Sequence, residues 1–339
     1  ASPASYENLI LDGQLHRYDV DGDKRGKKNG AYIIHTDGYP AGYVQNWKTG
    51  VKENWRYDGA GLTEDEKNYY NSEEYRKKRK LEEERRKAER EQKQAEAVER
   101  SQILFANLPD APDTHSYLQK KQVKPYDIKI NGTTLAIPLR DINGVVKSIQ
   151  WIDADGTKRF QPDAPTTGLF WNIGLNTLAE QPNQIILLGE GIATIAKVYE
   201  LTGKPCVAAL NCYGLETIAQ QLKEKYPQAQ IIITADNDKG TELKRDFNPG
   251  IEHAYKTFKA GYAHGVIFPE FENPEDGTDW DDYALKYGNE KCAEVLSRDL
   301  ERLPIEWKRE KYRIEAERLG LVSCETFESF CQPLESESW

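Results

Sequence analysis

A chain of 339 residues that is 38% hydrophobic and 30% charged is long enough for two or three domains and has the polar balance of a soluble protein. No run approaches the roughly 18 consecutive apolar residues of a transmembrane helix, and the opening Ala1-Ser2-Pro3-Ala4-Ser5-Tyr6 lacks the basic and apolar regions of an export signal. The net charge of −10 resides entirely in residues 266–339, with 19 acidic against 9 basic side chains, so a phosphate-binding surface has to come from the first 265 residues, where the two signs balance.

The five cysteines, Cys206, Cys212, Cys292, Cys324 and Cys331, form no CxxC pair and have no histidines at zinc-ligand spacing. They read as reduced thiols of a cytoplasmic protein, and no zinc is expected. In chain order, residues 1–60 alternate short β-like runs (Leu15–Val20, Ala31–His35, Ala41–Gln45) with turn signals such as Lys28-Asn29-Gly30 and Lys48-Thr49-Gly50, which predicts a small antiparallel β module. That module is a candidate for template or partner contact. Residues 61–102 change character: between 63 and 100 there are 12 acids and 12 bases, with no proline or glycine. Pairs such as Glu82–Arg86 and Glu83–Lys87 stand at i, i+4, so a single solvated helix is expected to serve as a linker.

Residues 103–180 read as an α+β unit. Asp113-Thr114-His115-Ser116 opens a helix, and Leu135–Arg140 and Val145–Ile152 form a hairpin across Asp141-Ile142-Asn143-Gly144. A second tight turn, Asp153-Ala154-Asp155-Gly156, then delivers Lys158-Arg159-Phe160, which gives a curved β unit ending in basic residues. From 181 to 290 strands and helices alternate, with strands at Asn183–Leu188, Pro205–Leu210, Gln230–Thr234 and Gly265–Phe268. Continuous apolar strands separated by helices predict an α/β fold with a mostly parallel sheet covered on both faces. Residues 291–339 close the chain as a helical acidic segment. Core packing is the expectation for Trp47, Trp55, Trp151 and Trp171.

Ligands of such sheets sit beyond the carboxyl ends of the strands. Glu190 lies just past one strand between Gly189 and Gly191, and Asp236 and Asp238 lie just past another. Asp279, Asp281 and Asp282 form a later acidic group. Carboxylates gathered at strand ends repel unless a cation sits among them. Hard oxygen donors suit Mg²⁺ or Mn²⁺.

The ordered set of strand–Gly189-Glu190-Gly191–helix, strand–Asp236-Asn237-Asp238 and the later acidic group resembles the Toprim family, shared by DnaG-type primases, topoisomerases and some nucleases. The runs Leu187-Leu188-Gly189-Glu190-Gly191-Ile192-Ala193-Thr194, Ala208-Ala209-Leu210-Asn211 and Asn248-Pro249-Gly250 are similar to the Toprim primases of phages, plasmids and integrated mobile elements. So are Asp12-Gly13-Gln14-Leu15-His16-Arg17 and Asn46-Trp47-Lys48-Thr49-Gly50 in the N-terminal module. The resemblance implies that Glu190 is the catalytic acid/base and a metal ligand, with Asp236, Asp238, Asp279 and Asp281 as further ligands. It implies a DNA primase, a nucleotidyltransferase that joins NTPs on a single-stranded DNA template with Mg²⁺ or Mn²⁺. A Toprim nuclease and a non-catalytic nucleic-acid-binding accessory protein are the alternatives.

Three departures from the family pattern matter. Thr194 stands where primases often carry an aspartate, and Thr166-Thr167-Gly168 replaces a basic pair. Nucleic-acid or nucleotide contact then falls to Arg140, Lys158 and Arg159, with Lys239 beside the metal loop. There is also no Gly-x-x-x-x-Gly-Lys-[Ser/Thr] loop, so a replicative helicase, where one is needed, is expected on a separate chain or in a portion of the protein beyond this sequence.

Overall fold

The computed structural model describes residues 9–23, 26–36, 39–59, 61–178 and 184–318, and the chain divides into two compact units, Ala1–Arg90 and Glu91–Trp339. Cys324 and Cys331 lie outside the described residues, while Cys206, Cys212 and Cys292 are buried free thiols.

In the first unit four antiparallel strands, β1 (His16–Tyr18), β2 (Gly30–His35), β3 (Ala41–Asn46) and β4 (Val51–Arg56), pair in sequence order. The fourth has no counterpart among the β-like runs of the sequence. Val51-Lys52-Glu53-Asn54-Trp55-Arg56 is exposed along its whole length, so it lacks the apolar alternation that marks a half-buried strand. The single charged helix is also two: α1 (Glu64–Asn71) and α2 (Glu73–Asn107). Ser72 divides them, its hydroxyl donating to the Tyr69 carbonyl at 2.6 Å and accepting from the Tyr75 N–H at 3.1 Å, so a serine N-cap restarts the helix.

The middle of α2 is solvated, as its charge pattern predicts, but its end is not. Ala97 and Ser101 have no exposed surface, and Phe105 packs with Ala136, Val146, Ile149 and Trp151. The second unit therefore begins within the helix, ahead of residue 103. A fragment starting near residue 91 is expected to unfold in one cooperative transition in urea. A fragment starting at residue 108 removes Phe105 from its cluster and is expected to lose about 3 kcal/mol.

The second unit continues with α3 (Ser116–Lys121) and an antiparallel sheet of β5 (Lys129–Asn131), β6 (Thr134–Arg140), β7 (Val146–Ile152) and β8 (Lys158–Phe160). The next strand, β9 (Trp171–Ile173), leaves that sheet and joins the following one. There the core strands are β10 (Ile185–Gly189), β11 (Cys206–Ala208), β12 (Gln230–Thr234) and β13 (Gly265–Ile267), in the order β13-β12-β10-β11-β9. All neighbours are parallel except β9, which runs antiparallel to β11 at the edge.

Both faces are covered, as the apolar strands require. On one side α4 (Ile192–Thr202), α8 (Trp280–Tyr287) and α9 (Asn289–Arg318) pack around Leu187, Ile195 and the fully buried Trp280. On the other, α5 (Leu215–Lys225) and α7 (Pro249–Lys259) cover Ile186, Leu188, Ile231 and Ile233. No helix among the described residues is long and apolar enough to cross a membrane.

Candidate active site

Parallel pairing of β10 with β12 sets Gly189 opposite Thr234, so Glu190 and the loop Asp236-Asn237-Asp238 leave the sheet side by side. Close approach explains Gly189: a Cβ there would lie 2.7 Å from Thr234 Oγ1 and 2.9 Å from Ile195 Cδ1. Two asparagine side chains hold the aspartate loop. Asn237 donates to the Pro269 carbonyl at 2.9 Å. Asn248 accepts from the Asp238 N–H at 3.1 Å and donates to Asn237 Oδ1 at 3.0 Å.

Asn248 also caps α7, accepting from the Ile251 N–H at 3.3 Å. This seats Gly250 against the acids, where a Cβ would overlap the Asp236 carbonyl oxygen and come within 3.1 Å of Glu190 Oε1. Gly250→Ala is expected to cost about 1–3 kcal/mol by overpacking and to displace the aspartate loop. Urea unfolding and divalent-ion titration measure the two effects, and an unchanged titration would show that the loop does not move.

The carboxylates here are poorly solvated and face one another. Burial, then the charges of Asp238 and Asp279, push Glu190 up to about 7, against backbone N–H donors from Asp236 and Cys212 that favour its ionised form. Asp236 is raised well above the ordinary range by burial first and then by Glu190, Asp279 and Asp238. Burial and Asp282 raise Asp279, although the Thr194 hydroxyl donates to it and it accepts from the Asp282 N–H at 2.9 Å as the cap of α8. Thr194, where the family pattern has an aspartate, thus supplies a neutral donor.

Asp281 behaves differently. It has no exposed surface, and its Oδ2 lies 2.7 Å from Lys121 Nζ of α3. Burial still raises it to about 6. On Lys121 burial acts downward, but the hydrogen bond to Asp281 and the charges of Asp281, Asp279 and Asp282 prevail and raise its pKa. Asp279, Asp281 and Asp282 each offer an oxygen within 4.8 Å of the others.

Glu190, Asp236, Asp238 and Asp279 therefore converge, with the buried Asp281 nearby and paired to the half-buried Lys121. The cationic candidates divide. Lys158 lies within electrostatic range of the acids: its residue surface is exposed, but protein crowds its ammonium, and that desolvation followed by the charge of Lys121 lowers its pKa against the pull of Asp279 and Asp236. Arg159 does not share this position, because neighbouring residues of a strand point to opposite faces. It pairs with Asp153. Arg140 is committed to Asp127 at 2.7 Å and to the Gly144 carbonyl at 2.9 Å. Lys239 is exposed at the start of α6 (Lys239–Arg245), beside a cleft of about 520 Å³ that Asn237 and Glu242 also line.

Sequence reasoning missed Lys121, whose partner Asp282 stands 161 residues away and whose local context is an ordinary helix end. It also missed Tyr213, 74% exposed and packed edge-on against His253 at 4.6 Å, next to the Cys212 N–H that serves Glu190.

Glu190 Oε1 and Asp236 Oδ1 are buried without a hydrogen-bond partner. Bare acceptors within a cluster of like charge are the donor set that a hard divalent cation satisfies, so these residues fit Mg²⁺ or Mn²⁺.

Residues 185–290 match the family described as the Toprim domain, and with this sheet and acidic centre the chain carries a Toprim domain. It is similar to a DNA primase TraC of Escherichia coli, 34% identical over 275 residues, which are 80% of this chain and 25% of that protein. A second DNA primase TraC of Escherichia coli is 33% identical over 279 residues, 81% of this chain and 19% of the relative. The chain thus spans a quarter or less of the length of these curated relatives. Among solved structures, the DnaG catalytic core aligns with a TM-score of 0.42 at 15% identity, covering 60% of this chain and 79% of that one.

Proposed function

We propose that this chain is the primer-synthesising part of a DNA primase, joining NTPs into short RNA on a single-stranded DNA template. The observation that carries the reading is the convergence of Glu190, Asp236, Asp238 and Asp279 with two buried oxygens left bare. Similarity over 80% of the chain to relatives named DNA primase supports the choice of reaction.

Glu190, just past the end of β10 among the other acids, is placed to take the proton of an attacking 3′-hydroxyl. Asp236, Asp238 and Asp279 would hold Mg²⁺ or Mn²⁺ together with Glu190. When bound, such ions supply the positive charge that activates an oxygen nucleophile and steadies a leaving pyrophosphate. Lys158 would meet the triphosphate, since the charges of Asp279 and Asp236 act on its ammonium. Asp281 pairs with Lys121 and stands with Asp279 as a further candidate ligand.

Incubation with single-stranded DNA, labelled NTPs and Mg²⁺ or Mn²⁺ tests the proposal. New oligonucleotides that disappear in Glu190→Gln are expected. Shortened template would identify a nuclease, and retained binding with neither product would identify an accessory protein.

A further inference from the structure

The first unit holds a cleft of about 650 Å³ that the catalytic reading does not use. Five cations line it: Arg56 of β4 and Arg79, Arg86, Lys87 and Arg90 of α2. Glu82 and Glu83 are its two carboxylates, which leaves three positive charges in excess. Along α2 the lining positions 75, 79, 83, 86 and 90 recur at helical spacing, so one stripe of a helix charged on every side is turned to the β module. Contact with the module is close. A Cβ on Gly13, whose φ is +73°, would lie 2.8 Å from His35 Nδ1 and 3.3 Å from Arg86 Nη1.

Three tyrosines share the cleft. Tyr70 packs against Tyr39 at 5.2 Å and edge-on against the buried Tyr75 at 5.1 Å, and the Arg56 guanidinium lies 5.1 Å from the centre of the Tyr39 ring. Cations that follow a backbone, beside aromatic rings that accept a base, are the chemistry of sequence-tolerant single-strand binding. An acidic peptide would use the cations and leave the rings idle.

We propose that this cleft is a second nucleic-acid site, binding a few nucleotides of single-stranded DNA apart from the acidic centre. It rests on the primase reading for the identity of the strand, and its test does not use synthesis. The probe is fluorescent oligo(dT), with the full chain, no divalent ion and a series of salt concentrations. Arg79→Glu/Arg90→Glu, at two exposed helix positions, is expected to weaken binding at least tenfold and to reduce the salt slope by about 1.4, the value for two lost single-strand phosphate contacts. Photocrosslinking of bromodeoxyuridine-substituted oligonucleotide should mark Tyr39 or Tyr70. Unchanged affinity and slope, crosslinks confined to residues beyond 100, or equal competition by polyglutamate of matched charge would each overturn the proposal. Strand synthesis with an inert cleft would leave the primase reading standing, and strand binding without synthesis would do the reverse.

Discussion

Asp236→Asn is expected to abolish primer synthesis, by at least a thousandfold, while leaving the metal-free protein as stable as the parent or more so. The side chain has a buried oxygen without a partner and faces Glu190, Asp279 and Asp238. Its charge is therefore a cost to the fold that a cation offsets. The same crowding sets a pH dependence. Glu190 rises from 4.5 to about 7 and Asp281 from 3.8 to about 6, so the folded protein holds protons that the unfolded chain has already released. Stability of the metal-free protein then falls as pH rises from about 4 to 7, with Glu190 alone contributing on the order of 3 kcal/mol. Saturating Mg²⁺ should flatten that slope, as should Glu190→Gln in part. Urea unfolding at pH 5 and pH 8, with and without Mg²⁺, measures it. A metal-free stability that does not change across this window would contradict the arrangement.

Lys121→Met carries the largest expected loss of stability, about 3 kcal/mol in urea unfolding. Its ammonium is 2.7 Å from a carboxylate with no exposed surface, and breaking such a pair strands the remaining charge. Lys121→Met/Asp281→Asn removes both partners and should recover at least half of the loss. If the single variant unfolds within about 1 kcal/mol of the parent, Asp281 has another source of neutralisation, and the buried Lys197 is the first to examine.

The strands β10 and β12 are legible in the sequence because Ile185–Leu188 and Ile231–Ile233 are continuous apolar runs that lead into the glycine and acid signals, and the acids that follow them inherit their places from the parallel pairing. β4, β5 and β9 are not. β5 and β9 have three residues each, too few to show a period, and β4 has no buried face. The expectation that tryptophans pack in a core holds for Trp151 and Trp171; Trp47 and Trp55 remain about two-fifths exposed, Trp47 beneath the Arg17 guanidinium at 4.0 Å. Adjacency groups Arg159 with Lys158, although strand alternation alone separates them. Lys121 has no local signal, since only tertiary packing brings α3 to α8.

The antiparallel strand β9 bears on how such a domain can be inherited. Its residues Trp171–Ile173 precede the region that matches the Toprim family, yet they hydrogen-bond to β11 and bury Trp171 completely in the shared core. A recombination event that cut at residue 185 would carry away the acids and leave behind the strand that closes their sheet. The transplanted piece would present the bare edge of β11 to any passing strand, an invitation to aggregation. Exchange between genes is consequently expected to fall ahead of β9, and the unit that travels is larger than the unit that sequence comparison recognises.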